Sequence, residues 1–239
     1  MQVESDPDPA WVAELSGRGA EESQHALAEA AGERRLFSQL ARSHARAGRT
    51  SYVEIDAPLE LHALVRLLRP AHVVEVGVSS GVSSAYMLKA LEQNGEGRLH
   101  SIDLPAFPPK RRPGKSDSRI SWTLPPGRSS GWAVPVPLRQ RWDLRLGDKR
   151  DVLPILAEQL PSIDLLVYDV PHEDNATRRE FRVLDPLFPP GAVAIVDHGP
   201  GGGLCEALGK WALGWNTRPV GRQGLGLYGA RRPRGVAKE

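Results

Sequence analysis

The sequence predicts an α/β fold: a doubly wound, mostly parallel sheet of seven strands with an N-terminal helical cap and a C-terminal antiparallel hairpin. Three observations predict this fold. Short β-branched runs alternate with helical patterns between residues 58 and 213, as expected of parallel strands that helices connect. A turn rich in glycine and serine follows the first of these runs. Near the C-terminus, two strand-like runs are joined by Gly221, Arg222, Gln223 and Gly224, which predicts a hairpin.

The elements are placed by apolar periodicity and by the residues that interrupt it. Residues 10–49 have the helical spacing of the predicted cap, and further helices are predicted at residues 59–68, 82–93, 149–160, 173–188 and 204–213. The predicted strands span residues 72–77, 98–103, 143–147, 163–169, 192–197, 215–220 and 225–230. Pro58 and Pro70 bound the helix between them, because proline fits the first turn of a helix but not its interior. Pro154 is expected to disturb the first turns of its helix.

The composition is that of an ordinary globular protein. Of 239 residues, 40% are hydrophobic and 25% are charged. This length fits one α/β domain, placed at residues 58–230. The helical cap precedes it at residues 1–57, and a loose tail follows at residues 231–239.

Charge and cysteine content exclude several classes of protein. A single cysteine, Cys205, excludes a disulfide framework. A formal net charge of +2 is too small to indicate nucleic-acid binding. No apolar run approaches the about 20 residues of a membrane span, and the acidic start of the chain is unlike a secretory signal. We therefore expect a cytoplasmic protein without membrane contact.

Residues 104–142 interrupt the alternation of strands and helices. They contain eight prolines and eight lysines or arginines but one acid, Asp117, and no helical pattern can be drawn through them. A segment of this length in a compact domain is typically a functional lid or disordered. Trp132, which lies among small residues, is expected to anchor it. One interpretation is a lid or substrate wall whose basic side chains attract an anionic substrate; the other is a solvated charged insertion.

The most informative stretch runs from Val73 to Ser84. Its apolar start, interrupted by Glu75, predicts a strand that is buried on both faces. Gly77 and Gly81 allow a sharp turn and a close approach to a ligand. The serines of this stretch supply hydroxyl and N–H groups at the start of the next helix, where anionic groups bind favourably. A nucleotide-like cofactor is expected at such a turn.

The residues of the turn favour one cofactor over another. A dinucleotide fingerprint has a middle glycine in G-x-G-x-x-G, where this chain has Ser79. The carboxylate of Glu75 is a poor neighbour for a pyrophosphate and a good one for a cation. S-adenosylmethionine carries an ammonium, a sulfonium and no phosphate, so it fits better. Asp103 ends the next strand at about the distance expected of an acid that binds ribose hydroxyls.

On these residues the chain resembles the class I S-adenosylmethionine-dependent methyltransferases, which have a Rossmann-like fold. The hairpin that closes a parallel sheet is similar to theirs as well. The resemblance implies that the cofactor, mainly at its amino-acid end, is held by Glu75, Gly77, Ser79, Ser80, Gly81 and Ser83. It implies ribose binding by Asp103, and it places Asp148, after the third predicted strand, along the adenine. Asp148 also fits the N-cap of the following helix.

Two further strand ends carry the candidate chemistry. Asp169 and His172 follow the fourth predicted strand, and Asp197 and His198 follow the fifth. This arrangement resembles catechol O-methyltransferase-like enzymes and related small-molecule methyltransferases of antibiotic pathways. The resemblance implies a divalent metal bound by Asp169, Asp197 and His198. It also implies that His172 is the general base, assisted by Asp169.

Two positions depart from that family. His198 replaces the usual asparagine, and an imidazole suits iron, zinc or manganese better than the magnesium that the family uses. Both a metal and its absence therefore stay open. His172 replaces the usual lysine, and an imidazole is a suitable base near neutral pH.

We therefore expect a methyltransferase that acts on a hydroxyl or an amine of a small molecule. One alternative is a relative that binds the cofactor without methylating and serves as a partner or scaffold. Another is a nucleic-acid methyltransferase, which the basic residues Lys110, Arg111 and Arg112 support and the lack of an N-P-P-Y-like motif opposes. A short-chain dehydrogenase is disfavoured because no Tyr-x-x-x-Lys pair follows the fourth or fifth strand. The acceptor and the oligomeric state, a homodimer included, stay open.

Overall fold

The structure is a computed structural model and describes residues 7–47, 57–105, 124–125, 127–170, 174–197, 214–220 and 227–234. Its α-helices in this part of the chain are α1 (Pro9–Ser16), α2 (Ala20–Gly32), α3 (Arg34–Ala47), α4 (Pro58–Leu68), α5 (Val82–Asn94), α6 (Lys149–Gln159) and α7 (Asp174–Leu184). Its strands are β1 (His72–Val76), β2 (Arg98–Asp103), β3 (Trp142–Leu146), β4 (Leu165–Tyr168), β5 (Val193–Asp197), β6 (Asn216–Pro219) and β7 (Leu227–Arg231).

The strands form one seven-stranded sheet in the order β3-β2-β1-β4-β5-β7-β6. β1 to β5 run parallel, and β7 pairs antiparallel with both β5 and β6. The predicted sheet and its C-terminal antiparallel pair are therefore confirmed. The strand order reverses between β1 and β4, which opens a crevice at their carboxyl ends. Ligands of open α/β sheets bind in this crevice.

The helices differ from the predicted ones for local reasons. The helix predicted over residues 173–188 ends at Leu184 and continues as a 3₁₀ turn, Asp185–Leu187, because Pro186 has no N–H for an α-helical hydrogen bond. α6 contains Pro154 without a break. The helix predicted at residues 204–213 lies outside the described residues.

The insertion and the tail differ from expectation as well. A 3₁₀ helix, Val136–Arg141, lies in the insertion, for which the sequence predicts no helix. Its buried residue Leu138 packs into the core. β7 extends to Arg231, so the strand includes the first residue of the predicted tail.

Side chains of β1 alternate between the two faces of the sheet. Val73 packs with residues of α4 and α5, whereas Val74 and Val76 pack on the other face with residues of α6 and α7. Glu75 shares the face of Val73 and is fully buried. A carboxylate in such a position needs hydrogen-bond partners, because an unpaired buried charge is costly.

The N-terminal cap consists of α1, α2 and α3 within the described residues. Trp11, Leu27 and Leu40 are buried in the same cluster as the apolar residues of α4 and α5. Burying side chains of this size contributes about 1.5–3 kcal/mol each, so the cap is part of the core and not an appendage.

None of the described helices is both long enough and apolar enough to cross a membrane.

Candidate active site

The glycine turn (residues 77–81) connects β1 to α5 at the carboxyl edge of the sheet. Gly77 and Gly81 have φ angles of +94° and +91°, and Ser79 lies in the left-handed region as well, at +51°. A β-carbon at Gly77 would lie 1.8 Å from the carbonyl oxygen of Asp169. The turn therefore needs glycine at position 77 for both its conformation and its close contact with the end of β4.

Asp103, at the end of β2, holds the glycine turn. Its Oδ2 accepts a hydrogen bond from the N–H of Ser79 at 2.9 Å, and its Oδ1 accepts one from the N–H of Leu104 at 2.8 Å. Burial raises the pKa of Asp103, against hydrogen bonds that lower it, among them one from Ser130. The predicted ribose-binding acid thus lies directly beside the predicted cofactor turn.

Residues 127–135 of the insertion, here called the docking segment, pack on the glycine turn. The N–H of Gly131 donates to the carbonyl oxygen of Ser79 at 2.9 Å, and the N–H of Ala133 donates to that of Ser80 at 3.0 Å. These bonds satisfy backbone groups of both segments. This part of the insertion is therefore a packed wall beside the turn.

Trp132 anchors the docking segment, as the sequence predicts. It is half-buried and packs against the main hydrophobic cluster. The guanidinium carbon of Arg128 lies 5.2 Å from the centre of its ring, and the ring of His44 lies 5.0 Å from it, centre to centre. Residues 106–123 and Pro126, which include the basic run at positions 110–112, lie outside the described residues.

Glu75 lies in a cage of three serine hydroxyls. Ser83 Oγ donates to its Oε1 at 2.7 Å, and Ser84 and Ser101 donate to its Oε2 at 2.7 and 2.6 Å. The indole N–H of Trp142 in turn donates to Ser101 Oγ at 2.8 Å. Burial raises the pKa of Glu75 to about 7, although the serine hydrogen bonds oppose the rise. Two predicted cofactor ligands, Glu75 and Ser83, therefore bind each other at the start of α5.

Asp148, predicted to lie along the adenine, is the N-cap of α6. Its Oδ1 accepts a hydrogen bond from the N–H of Arg150 at 2.9 Å, and the guanidinium of Arg150 pairs with both carboxylate oxygens. The hydrogen bond from the Arg150 side chain lowers the pKa of Asp148. The capping role is therefore present, and the contact with adenine stays a prediction.

Asp169 and Asp197 lie side by side at the carboxyl ends of adjacent strands. The parallel register pairs Tyr168 of β4 with Val196 of β5, and each aspartate follows its paired residue. Both aspartates are half-buried. The sheet thus places at adjacent strand ends the two aspartates that the sequence assigns to the chemistry.

The histidines of this edge are not described. His172, the predicted general base, and His198, the predicted third metal ligand, lie outside the described residues. Elsewhere, within the described ranges, no three His, Cys, Asp or Glu side chains converge as a metal site would require. The described residues therefore supply two of the predicted ligands and no complete set.

At the end of β4, Tyr168 forms a polar cluster with Glu180 and Lys149 that the sequence analysis does not predict. Tyr168 donates its hydroxyl to Oε2 of Glu180, and Lys149 Nζ donates to the same oxygen at 2.7 Å. Burial, reinforced by the charge of Glu180, raises the pKa of Tyr168. The one sequence signal is Glu180 itself, which stands beside Phe181 on the buried face of α7.

Sequence comparison identifies a family. The family model described as "Methyltransferase domain" matches residues 74–198, just over half of the chain. The match runs from β1 past the end of β5, so it includes the glycine turn, Asp103 and both strand-end aspartates. No curated protein matches the chain significantly in sequence.

Solved structures share the fold over most of the chain. An O-methyltransferase from Bacillus cereus in complex with SAH has a TM-score of 0.54 at 15% identity and covers 82% of this chain and 89% of its own. The O-methyltransferase TomG from Streptomyces achromogenes, involved in tomaymycin synthesis and in complex with SAM, has a TM-score of 0.54 at 19% identity over 84% of this chain and 90% of its own. CalS11, a TDP-rhamnose 3'-O-methyltransferase of calicheamicin biosynthesis, has a TM-score of 0.50 at 19% identity over 73% and 77%. The shared sheet and the match from β1 to β5 agree, and the chain belongs to the methyltransferase domain family.

Proposed function

We propose that the protein transfers a methyl group from S-adenosylmethionine to a hydroxyl of a small molecule, with an amine as the second candidate acceptor. The observation that carries the proposal is the hydrogen bond between Asp103, at the end of β2, and Ser79 of the glycine turn. An acid and a turn joined at the switch point of the sheet form a ribose-binding arrangement. The relatives that are named as O-methyltransferases in complex with SAM or SAH support the same cofactor and chemistry.

In this proposal the glycine turn holds the amino-acid end of the cofactor. Gly77, Ser79, Ser80 and Gly81 contribute through the shape of the turn. Glu75 and Ser83 act by fixing the first turn of α5, whose N-terminus favours the carboxylate of the cofactor. Asp103 accepts the ribose hydroxyls, and Asp148 lines the adenine side.

The chemistry requires orientation and removal of a proton. S-adenosylmethionine, when bound, would supply a methyl group on a sulfonium. The acceptor oxygen would take this methyl group by in-line attack, and the sulfur would leave as a neutral thioether. The chain must hold the acceptor hydroxyl opposite the sulfur, and such positioning supplies much of the rate. We assign proton removal to His172, oriented by Asp169, because an imidazole is a suitable base near neutral pH.

A divalent metal held by Asp169, Asp197 and His198 is a further proposal about the same edge. Two carboxylates at adjacent strand ends support it, because carboxylate oxygens bind Mg²⁺ and Mn²⁺. The described residues do not complete the ligand set, so no step above depends on a metal. The basic residues of the insertion support an anionic substrate.

Calorimetric titration with S-adenosylmethionine and, separately, with NADH tests the cofactor. We expect the wild type to bind the first and not the second. Asp103→Asn should weaken binding at least about tenfold, because its side chain offers one acceptor oxygen where Asp103 uses two. Asp185→Asn, in the 3₁₀ turn before β5, is the matched control and should bind as the wild type does. Binding of NADH, or of neither compound, would overturn the proposal.

A methyl-transfer assay over a panel of phenols, sugars and amines tests the reaction. His172→Ala should lower kcat by about 10²–10⁴-fold and leave cofactor affinity unchanged. Equal turnover by this variant would refute its role as base. Dialysis against EDTA, followed by Mg²⁺ or Mn²⁺, tests the metal: activity that is lost and then restored supports it, and unchanged activity refutes it.

A further inference from the structure

His44 reaches the glycine turn from α3 of the N-terminal cap. Its Nδ1 lies 2.8 Å from the carbonyl oxygen of Leu40, and its Nε2 lies 3.0 Å from Oγ of Ser80. A carbonyl oxygen only accepts, so Nδ1 carries a proton, and in the neutral ring Nε2 then accepts the hydroxyl hydrogen of Ser80. One neutral tautomer of the ring therefore satisfies both contacts.

The surroundings of His44 hold its ring in place. Leu40, which accepts the Nδ1 hydrogen, is fully buried, as is Ser80. The ring also packs against Trp132 of the docking segment at a distance of 5.0 Å between centres. His44 thus contacts both the glycine turn and the segment that packs on it, although it lies outside the family match at residues 74–198.

The glycine turn depends on such support. Ser79 has a φ of +51°, and a residue other than glycine persists in this conformation when its surroundings hold it there. Asp103 accepts a hydrogen bond from the N–H of Ser79. The docking segment donates to the carbonyl oxygens of Ser79 and Ser80. His44 binds the hydroxyl of Ser80. His44 is the contribution of the N-terminal cap to this set.

We infer that His44 is a positioning residue for the cofactor: through Ser80 it keeps the glycine turn in the shape that binds S-adenosylmethionine. The inference rests on the proposed assignment of this turn to the cofactor. It has a reciprocal consequence, because whatever His44 adds to cofactor affinity the cofactor must add to the contact between α3 and the turn. Cofactor binding therefore stabilises the N-terminal cap.

Three substitutions separate the hydrogen bond from the ring packing. His44→Phe keeps a ring against Trp132 and removes the acceptor, His44→Gln keeps an acceptor and removes the ring, and Ser80→Ala removes the donor. In calorimetry with S-adenosylhomocysteine, His44→Phe and Ser80→Ala should each raise Kd about three- to tenfold, as the loss of one hydrogen bond predicts. The Kd of His44→Gln should stay within about twofold of the wild-type value.

The double variant His44→Phe/Ser80→Ala should bind no more weakly than either single variant, since both remove the same bond. His25→Phe, at an exposed site on α2, is the matched control and should not change Kd. Additive effects of the two single changes would overturn the inference.

Hydrogen exchange distinguishes a positioning role from a merely structural one, because only a positioning role links protection of α3 to ligand binding. In the wild type, S-adenosylhomocysteine should slow amide exchange in both α3 and α5. In His44→Phe the slowing should persist in α5 and disappear from α3. An unchanged Kd with α3 still protected overturns the inference and leaves the proposed function intact. A wild type that binds no S-adenosylhomocysteine overturns both.

Discussion

The carbonyl oxygen of Asp169 occupies the space in which a side chain at Gly77 would begin, 1.8 Å from the position of a β-carbon there. The N–H of Asp169 donates to the carbonyl oxygen of Val76 at 2.8 Å, and the N–H of Gly77 donates to that of Ile102 at 2.9 Å. The glycine turn and Asp169, a candidate residue of the chemistry, are thus joined through the backbone.

Gly77→Ala should abolish measurable binding of S-adenosylmethionine and lower the temperature of unfolding, because the added carbon displaces the end of β4. Gly95→Ala is the matched control: its φ is +75°, and no atom lies within 4 Å of the added carbon. That control should cost about 1 kcal/mol of stability, from the left-handed backbone alone, and leave affinity unchanged. Calorimetry and thermal unfolding measure both effects. Equal affinity in the two variants would contradict the proposed role of the turn.

Glu75 should make stability depend on pH. Its pKa is about 7 in the folded protein, against an ordinary value of 4.5. Between these values the folded protein keeps a proton that the unfolded chain loses, so the free energy of unfolding falls as pH rises, by up to about 3 kcal/mol. Glu75→Gln cannot titrate and should lack this decline.

Urea unfolding at several pH values between 4.5 and 8 measures the decline as the difference in stability between the wild type and Glu75→Gln. Glu158→Gln, at an exposed position of α6, is the control, and its difference from the wild type should not vary with pH. A pH-independent difference for Glu75→Gln as well would mean that the carboxylate is ionised throughout.

Substitutions in the cluster of Tyr168, Glu180 and Lys149 should lower the free energy of unfolding by unequal amounts. Tyr168→Phe loses the hydrogen bond that the hydroxyl donates to Glu180 and the one that it accepts from Lys149, and should cost about 1–2 kcal/mol. Glu180→Leu leaves the ammonium of Lys149 and the hydroxyl of Tyr168 without their shared acceptor and should cost about 2–4 kcal/mol. The double variant Lys149→Met/Glu180→Leu should recover part of that loss, because no uncompensated charge remains. Urea unfolding measures all three, and strictly additive losses would refute the coupling.

Asp148 should be replaceable by asparagine if capping is its main structural role. Asparagine caps a helix as well as aspartate does, so Asp148→Asn should be nearly as stable as the wild type. Asp148→Ala should lose about 1 kcal/mol. Chemical denaturation compares the two. Equal losses would assign the stabilisation to the ion pair with Arg150 rather than to the cap.

Local patterns predict the fold and part of the site. The glycine turn, Asp103 and the two strand-end aspartates follow from residues that are close in sequence and from the rule that parallel strands end at one edge. Composition and spacing suffice for these residues because each lies at the end of a single strand, which local sequence predicts.

The remaining contacts depend on packing between distant elements. Ser101 and Trp142 reach Glu75 only because β1, β2 and β3 pair in one register. The docking segment has no periodicity, and its bonds go to another part of the chain. His44 stands on a helix of the predicted cap, and no sequence pattern links that helix to the turn that His44 touches.

The docking of residues 127–135 on the glycine turn determines when, during synthesis and folding, the turn acquires its supports. β1 and α5 are neighbours in sequence, but the turn between them is held by bonds from segments that lie far before and far after it. Contacts between distant segments form late, because the entropy of loop closure opposes them. A nascent chain that has been made only as far as α5 contains the glycine turn and His44, but neither Asp103 nor the docking segment. On the proposed assignment of this turn, cofactor binding therefore selects molecules whose synthesis and folding have passed the docking segment.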